Sequence, residues 1–111
     1  MDGKNKIIRT WKGWTSLENA PIYENMLINE VFPEVKRKGV EGLEKVSIST
    51  REKNDEMEFF LVLQFDSFES VKMFAGEHYD MAYIPDNAKR VLSRYDKTAQ
   101  HFTLKEELLL K

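Results

Sequence analysis

Histidine is the side chain whose ordinary pKa lies nearest working pH, and this sequence of 111 residues contains two, His78 and His101. Each is a candidate proton acceptor. His101 sits within Gln100-His101-Phe102, and strand alternation puts it on one face with Ala99 and Thr103, opposite Phe102 and Leu104. As a catalytic base it belongs in a pocket beneath helices; as an ordinary strand histidine it is partly exposed or satisfied by a neighbour. His78 follows Gly76, with Tyr79, Asp80 and Tyr83 close by, and suits either a pocket mouth or a plain surface loop. Arg9 has the same facing parity as Trp11. An inward arginine needs an anion, carboxylate or phenolate, whereas an outward one makes an edge or interface salt bridge. Trp11, Tyr23 and Phe74 could wall a cavity, with a tyrosine hydroxyl such as that of Tyr79 or Tyr83 as a polar handle; each also reads as simple core.

Other chemistries are disfavoured. The two histidines, with Glu77 and Asp80 nearby, lack the short fixed spacings of a zinc or iron site, so no metal is expected. Zero cysteines exclude disulfides and thiolate nucleophiles. No GxSxG, P-loop or GxGxxG pattern occurs. With 17 Lys plus Arg against 19 Asp plus Glu, the formal charge is −2, without the basic footprint that nucleic-acid binding needs. Apolar runs such as residues 59–63 are too short to span a bilayer, and no signal-peptide pattern precedes Ile7; a cytoplasmic protein without a membrane partner is expected.

The elements that must hold these residues can be read from periodicity. Residues 7–14 interleave β-branched and aromatic residues with polar ones, predicting a first strand. Thr15 and Glu18 have capping-box spacing, so a helix should follow, with Tyr23, Met26, Leu27, Val31 and Val35 as its apolar stripe. Pro21 fits the first turn, whereas Pro33 predicts a kink or early end. Residues 43–52 and 56–66 form a hairpin about a polar turn at 53–55. At Asp66 and Ser67 the period lengthens, giving a helix with Phe68, Val71, Phe74 and Ala75 inward, ended by Gly76. A mixed linker, a short helix over 85–95 and a last strand over 98–105 complete one domain, whose core is about residues 7–105. The order is that of an α+β ferredoxin-like βαββαβ sandwich with a four-stranded antiparallel sheet.

The third strand is apolar on both faces. Met57, Phe59, Leu61, Leu63 and Phe65 lie on one, Phe60 and Val62 on the other, and helices on one side of the sheet cover only one face. A second copy packed sheet to sheet on Phe60 and Val62 resolves this, so a homodimer is expected. A mildly apolar solvent face is the competing expectation.

Several stretches then resemble one family. Arg9-Thr10-Trp11-Lys12-Gly13-Trp14-Thr15, Glu18-Asn19-Ala20, Tyr23, Glu30-Val31-Phe32-Pro33, Phe65-Asp66-Ser67 and Phe74-Ala75-Gly76 together resemble members of the antibiotic biosynthesis monooxygenase family. The resemblance implies a dimeric α/β barrel, the arrangement that the strand argument reaches separately. It also implies oxidation of a small aromatic or quinol-like molecule without metal or flavin, hence no cofactor. In such chemistry the substrate is deprotonated so that its anion can pass an electron to dioxygen, and His101 is the candidate base. Haem-degrading relatives use an asparagine on the first strand with a tryptophan and a histidine near the second helix. Here Arg9, Thr10, Phe74 and Tyr83 occupy those regions, so that set does not transfer. Lys12 stands where relatives often have histidine. The alternative is a noncatalytic dimeric module of the same fold that binds a small ligand or serves in stress.

Overall fold

The computed structural model describes residues 5–111. Residues 1–4, part of the stretch ahead of Ile7 that lacks a signal-peptide pattern, lie outside the described residues. β1 (Ile7–Ser16) runs antiparallel to β3 (Glu56–Phe65) in unbroken register from Ile7↔Phe65 to Ser16↔Glu56. β2 (Leu43–Lys53) pairs with the other edge of β3. The hairpin turns at Asn54 and Asp55, whose φ values of 55° and 63° are those of a primed turn matched to strand twist.

The opposite edge of β1 departs from expectation. Two short strands share it: β4 (Leu92–Tyr95) pairs with Gly13–Thr15 and β5 (Gln100–Thr103) with Ile7–Thr10. Among the described residues the sheet therefore has five strands in four positions. The helix expected over 85–95 ends at Val91, as α4 (Asp86–Val91), and its last predicted turn is β4. The cause is a register shift between Trp14 and Thr15, which sets Leu92 opposite Thr15 and Tyr95 opposite Gly13. An extra residue in the strand puts inward side chains three apart, the spacing of a helix face.

Two further expectations are corrected. Thr15 is no cap: it is fully buried at the end of β1, and its hydroxyl donates to the Ser16 carbonyl at 2.7 Å. α1 (Ala20–Met26) starts later, with Asn19 at the N-cap position and the Asn19 N–H donating to Ser16 Oγ at 3.1 Å. Of the kink or early end expected at Pro33, the early end does not occur. The backbone passes through a π-helical turn at Leu27–Val31 into α2 (Phe32–Lys38), and the Phe32 N–H donates to the Leu27 carbonyl. The wider turn accommodates a residue that has no N–H and whose ring crowds the preceding carbonyls. α3 (Phe68–Ala75) starts as expected, with Ser67 Oγ accepting the Ser70 N–H at 3.3 Å, and stops at Gly76.

The core lies between the helices and one face of the sheet. Ile7, Trp11, Phe59, Leu61, Leu63 and Phe65 meet Tyr23, Met26, Leu27, Val71 and Ala88 there, each large apolar side chain contributing about 1.5–3 kcal/mol. Trp11 fixes a backbone requirement. Its ring crosses Gly13, where a Cβ would come within 2.5 Å of the indole. Ile8, Thr10, Phe60 and Val62 occupy the helix-free face and are half-buried, with Phe102 beside them 56% exposed. Among the described residues no helix is long and apolar enough to cross a membrane.

Candidate functional site

Arg9 and His101 are register partners on β1 and β5, so both side chains leave the same, helix-covered face. Pairing brings them together. Arg9 Nη1 lies 2.9 Å from His101 Nε2 and donates at 2.6 Å to the Tyr79 carbonyl, while Nη2 donates at 3.4 Å to the Met81 carbonyl. Arg9 is only 5% exposed, whereas His101 is half-buried. A guanidinium N–H can only donate, so Nε2 supplies the lone pair; this assigns the ring proton to Nδ1 and makes the imidazole neutral.

Aromatic rings frame the pair. Phe68 and Phe74 come from α3 and Tyr79 from the segment after Gly76. The His101 ring centroid lies 5.7 Å from those of Phe68 and Tyr79, which meet each other edge to face at 4.9 Å. The Arg9 guanidinium carbon lies 5.4 Å from the Phe74 ring centroid, a cation–π distance.

The electrostatics follow from this packing. Burial holds the His101 imidazolium below its ordinary range and the Arg9 cation adds to the shift, while the Asp80 carboxylate opposes it. Burial likewise lowers the Arg9 guanidinium, again opposed by Asp80. Arginine keeps its proton all the same. The site thus offers a neutral base touching a fixed cation inside an aromatic frame. Such a pair can take a proton from an acidic O–H or C–H and hold the anion that remains.

Of the side chains expected in a pocket, Arg9, Phe74, Tyr79 and His101 come together here. The others stand apart. Trp11 lies across Gly13, with Nε1 donating to the Asp96 carbonyl at 2.7 Å. Tyr23 is buried edge-on to Phe59 at 4.9 Å, and burial raises its phenol well above the usual range. His78 is exposed, and Tyr83 is 82% exposed. Sequence reasoning placed Phe68 in the buried stripe of its helix without linking it to His101, and the Met81 carbonyl leaves no sequence signal at all.

Two shallow, open hollows lie on the surface. One, of about 250 Å³, is lined by Lys12, Trp14, Arg51 and Arg94 at the hairpin end. There the nearly buried Glu58 receives Arg51 at 2.6 Å and Lys12 at 3.1 Å, holding its carboxyl below the usual range. The other, of about 490 Å³, is lined by Met81, Tyr83 and Tyr95. Met81 lies beside both: its carbonyl accepts from Arg9 Nη2, and the residue is among those that line the hollow.

No protein-family model matches the chain, and neither does any curated protein. Solved structures do. A putative antibiotic biosynthesis monooxygenase from Bacillus cereus superposes with a TM-score of 0.65 at 16% identity, covering 96% of this chain and 99% of that one. A dimeric ferredoxin-like protein from an uncultured marine organism gives 0.55 at 13%, covering 99% and 96%. A monooxygenase from Streptomyces coelicolor, in complex with Nanaomycin D, gives 0.58 at 11%, covering 97% and 94%. At these identities the likeness concerns backbone architecture: the chain has the α+β ferredoxin-like fold seen in antibiotic biosynthesis monooxygenase and dimeric ferredoxin-like structures.

Proposed function

We propose that the protein is a monooxygenase of the antibiotic biosynthesis type, oxidising a small aromatic or quinol-like molecule without metal or flavin. The observation that carries this reading is the 2.9 Å contact of Arg9 with the His101 lone pair inside the frame of Phe68, Phe74 and Tyr79. His101 takes the substrate proton at Nε2, and Arg9 turns its N–H to the phenolate or enolate so formed. That anion passes one electron to dioxygen, and the organic radical and superoxide combine to a peroxide. For a ring CH₂, loss of water from the protonated peroxide leaves C=O, so CH₂ and O₂ become C=O and H₂O with no outside reductant. A homodimer through Phe60 and Val62 accompanies this reading, supported by the half-buried apolar strip there and by the dimeric protein of like fold.

The test is oxygen uptake by the purified chain with a panel of hydroquinones and anthrones, with chelator present and no added metal or flavin. Uptake above buffer that disappears in His101→Ala is expected. Absence of uptake with every compound, or unchanged uptake in the variant, would overturn the assignment. A noncatalytic ligand-binding module is the second reading, favoured by the occupation of Nε2 by Arg9. It predicts saturable binding of the same compounds without oxygen consumption.

A further inference from the structure

The hollow beside Tyr83 has no part in the proton chemistry above, yet it gathers aromatic and cationic residues. It is a shallow, open hollow of about 490 Å³. Tyr83 is 82% exposed and Met81 51% exposed, while Tyr95 is half-buried, so aromatic and thioether surface meets water there. Lys89 and Lys97 also line it, against the single carboxylate of Asp86, and among the described residues no salt bridge engages any of the three. Tyr95 is the register partner of Gly13, on the helix-covered side of the sheet, so a second copy seated on Phe60 and Val62 would leave the hollow open.

We propose that this hollow is a binding site, separate from the Arg9–His101 pair, for a flat aromatic molecule carrying one carboxylate. The tyrosine rings and Met81 supply a surface on which an aromatic ring stacks with little loss of side-chain freedom. Two lysines that form no salt bridge among the described residues supply the counter-charge, which Asp86 offsets only in part. An aliphatic carboxylate gains the charge contact but not the stacking, and a neutral aromatic the reverse; the site should therefore prefer a molecule that has both. The inference does not depend on the oxygenase reading.

The experiment titrates the ¹⁵N-labelled full chain with 2-naphthoate and follows backbone amides by NMR, with octanoate and 2-methoxynaphthalene as comparison compounds. Saturating shifts are expected around Tyr83, Tyr95 and Lys97, with naphthoate binding tighter than either comparison compound. Lys89→Gln and Lys97→Gln should each weaken naphthoate by about three- to fivefold, as for exposed charge contacts, and Tyr83→Ala by about tenfold. All three side chains are solvent-facing, so the variants keep the fold, which the unshifted remainder of the spectrum reports. Shifts confined to Phe68, Tyr79 and His101, no saturation, or unchanged affinity in the double lysine variant would overturn the site. Equal affinity for 2-methoxynaphthalene would overturn its anion preference.

Discussion

Arg9 holds both the imidazole and the backbone that covers it, and its removal should separate the two effects. Arg9→Met leaves the Tyr79 and Met81 carbonyls without their donor and replaces the cation with an apolar chain of similar length. A loss of about 1–3 kcal/mol, read from a denaturant midpoint, is expected for the abandoned carbonyls. The same variant should move the His101 pKa upward, because the repelling charge has gone, though not to its ordinary value, because burial remains. NMR titration of the ring protons reads this directly. In the wild-type chain the His101 pKa is lowered on folding, so the unfolded state binds the proton more readily. Stability is therefore intact above the ordinary value of 6.5, and falls as pH drops below it until the folded-state pKa is passed. Oxygen uptake that relies on the neutral base should decline with the folded-state pKa, below 6.5, rather than at it.

At the scale of elements, the close crossing of Trp11 over Gly13 predicts a specific intolerance. Gly13→Ala drives a methyl to 2.5 Å from the indole, with Leu92 as the next neighbour, and should cost about 1–3 kcal/mol in a thermal or denaturant melt. Much of this architecture is written locally. Alternation along 7–14 and 56–66 marks the two central strands, and Ser67 with Gly76 brackets α3. What escaped reading was set by distant partners. Leu92 and Tyr95 carry helical spacing only because a strand irregularity opposite Trp14 and Thr15 inserts a residue between them. Pro33 is absorbed by a π-helical turn, a response that the proline itself does not encode. The candidate site divides in the same way. The shared face of Arg9 and Trp11 follows from parity, but the meeting of Arg9 with His101 depends on which strand β5 joins and in what register.

At the scale of the whole molecule, the proposed dimer rests on the helix-free face. Val62 lies opposite Thr10 and Ser47, and Phe60 opposite Lys12 and Ser49, at the centre of the sheet and away from the helix-packed core. Phe60→Glu with Val62→Lys should thus leave the fold intact by circular dichroism. The mass measured by light scattering should fall from two chains to one; a wild-type chain that is already single at micromolar concentration would remove the dimer. The placement of β5 has a final consequence for how the molecule comes together. Arg9 and His101 stand 92 positions apart, so this junction closes one of the longest loops in the chain. A polypeptide cut before residue 100 keeps every residue of the hairpin and of α1 to α4, yet leaves Arg9 without its imidazole partner and the Ile7–Thr10 edge of β1 unpaired. Such a fragment should accumulate as a loosened, protease-sensitive species, and a separately added peptide spanning the β5 residues should restore its resistance.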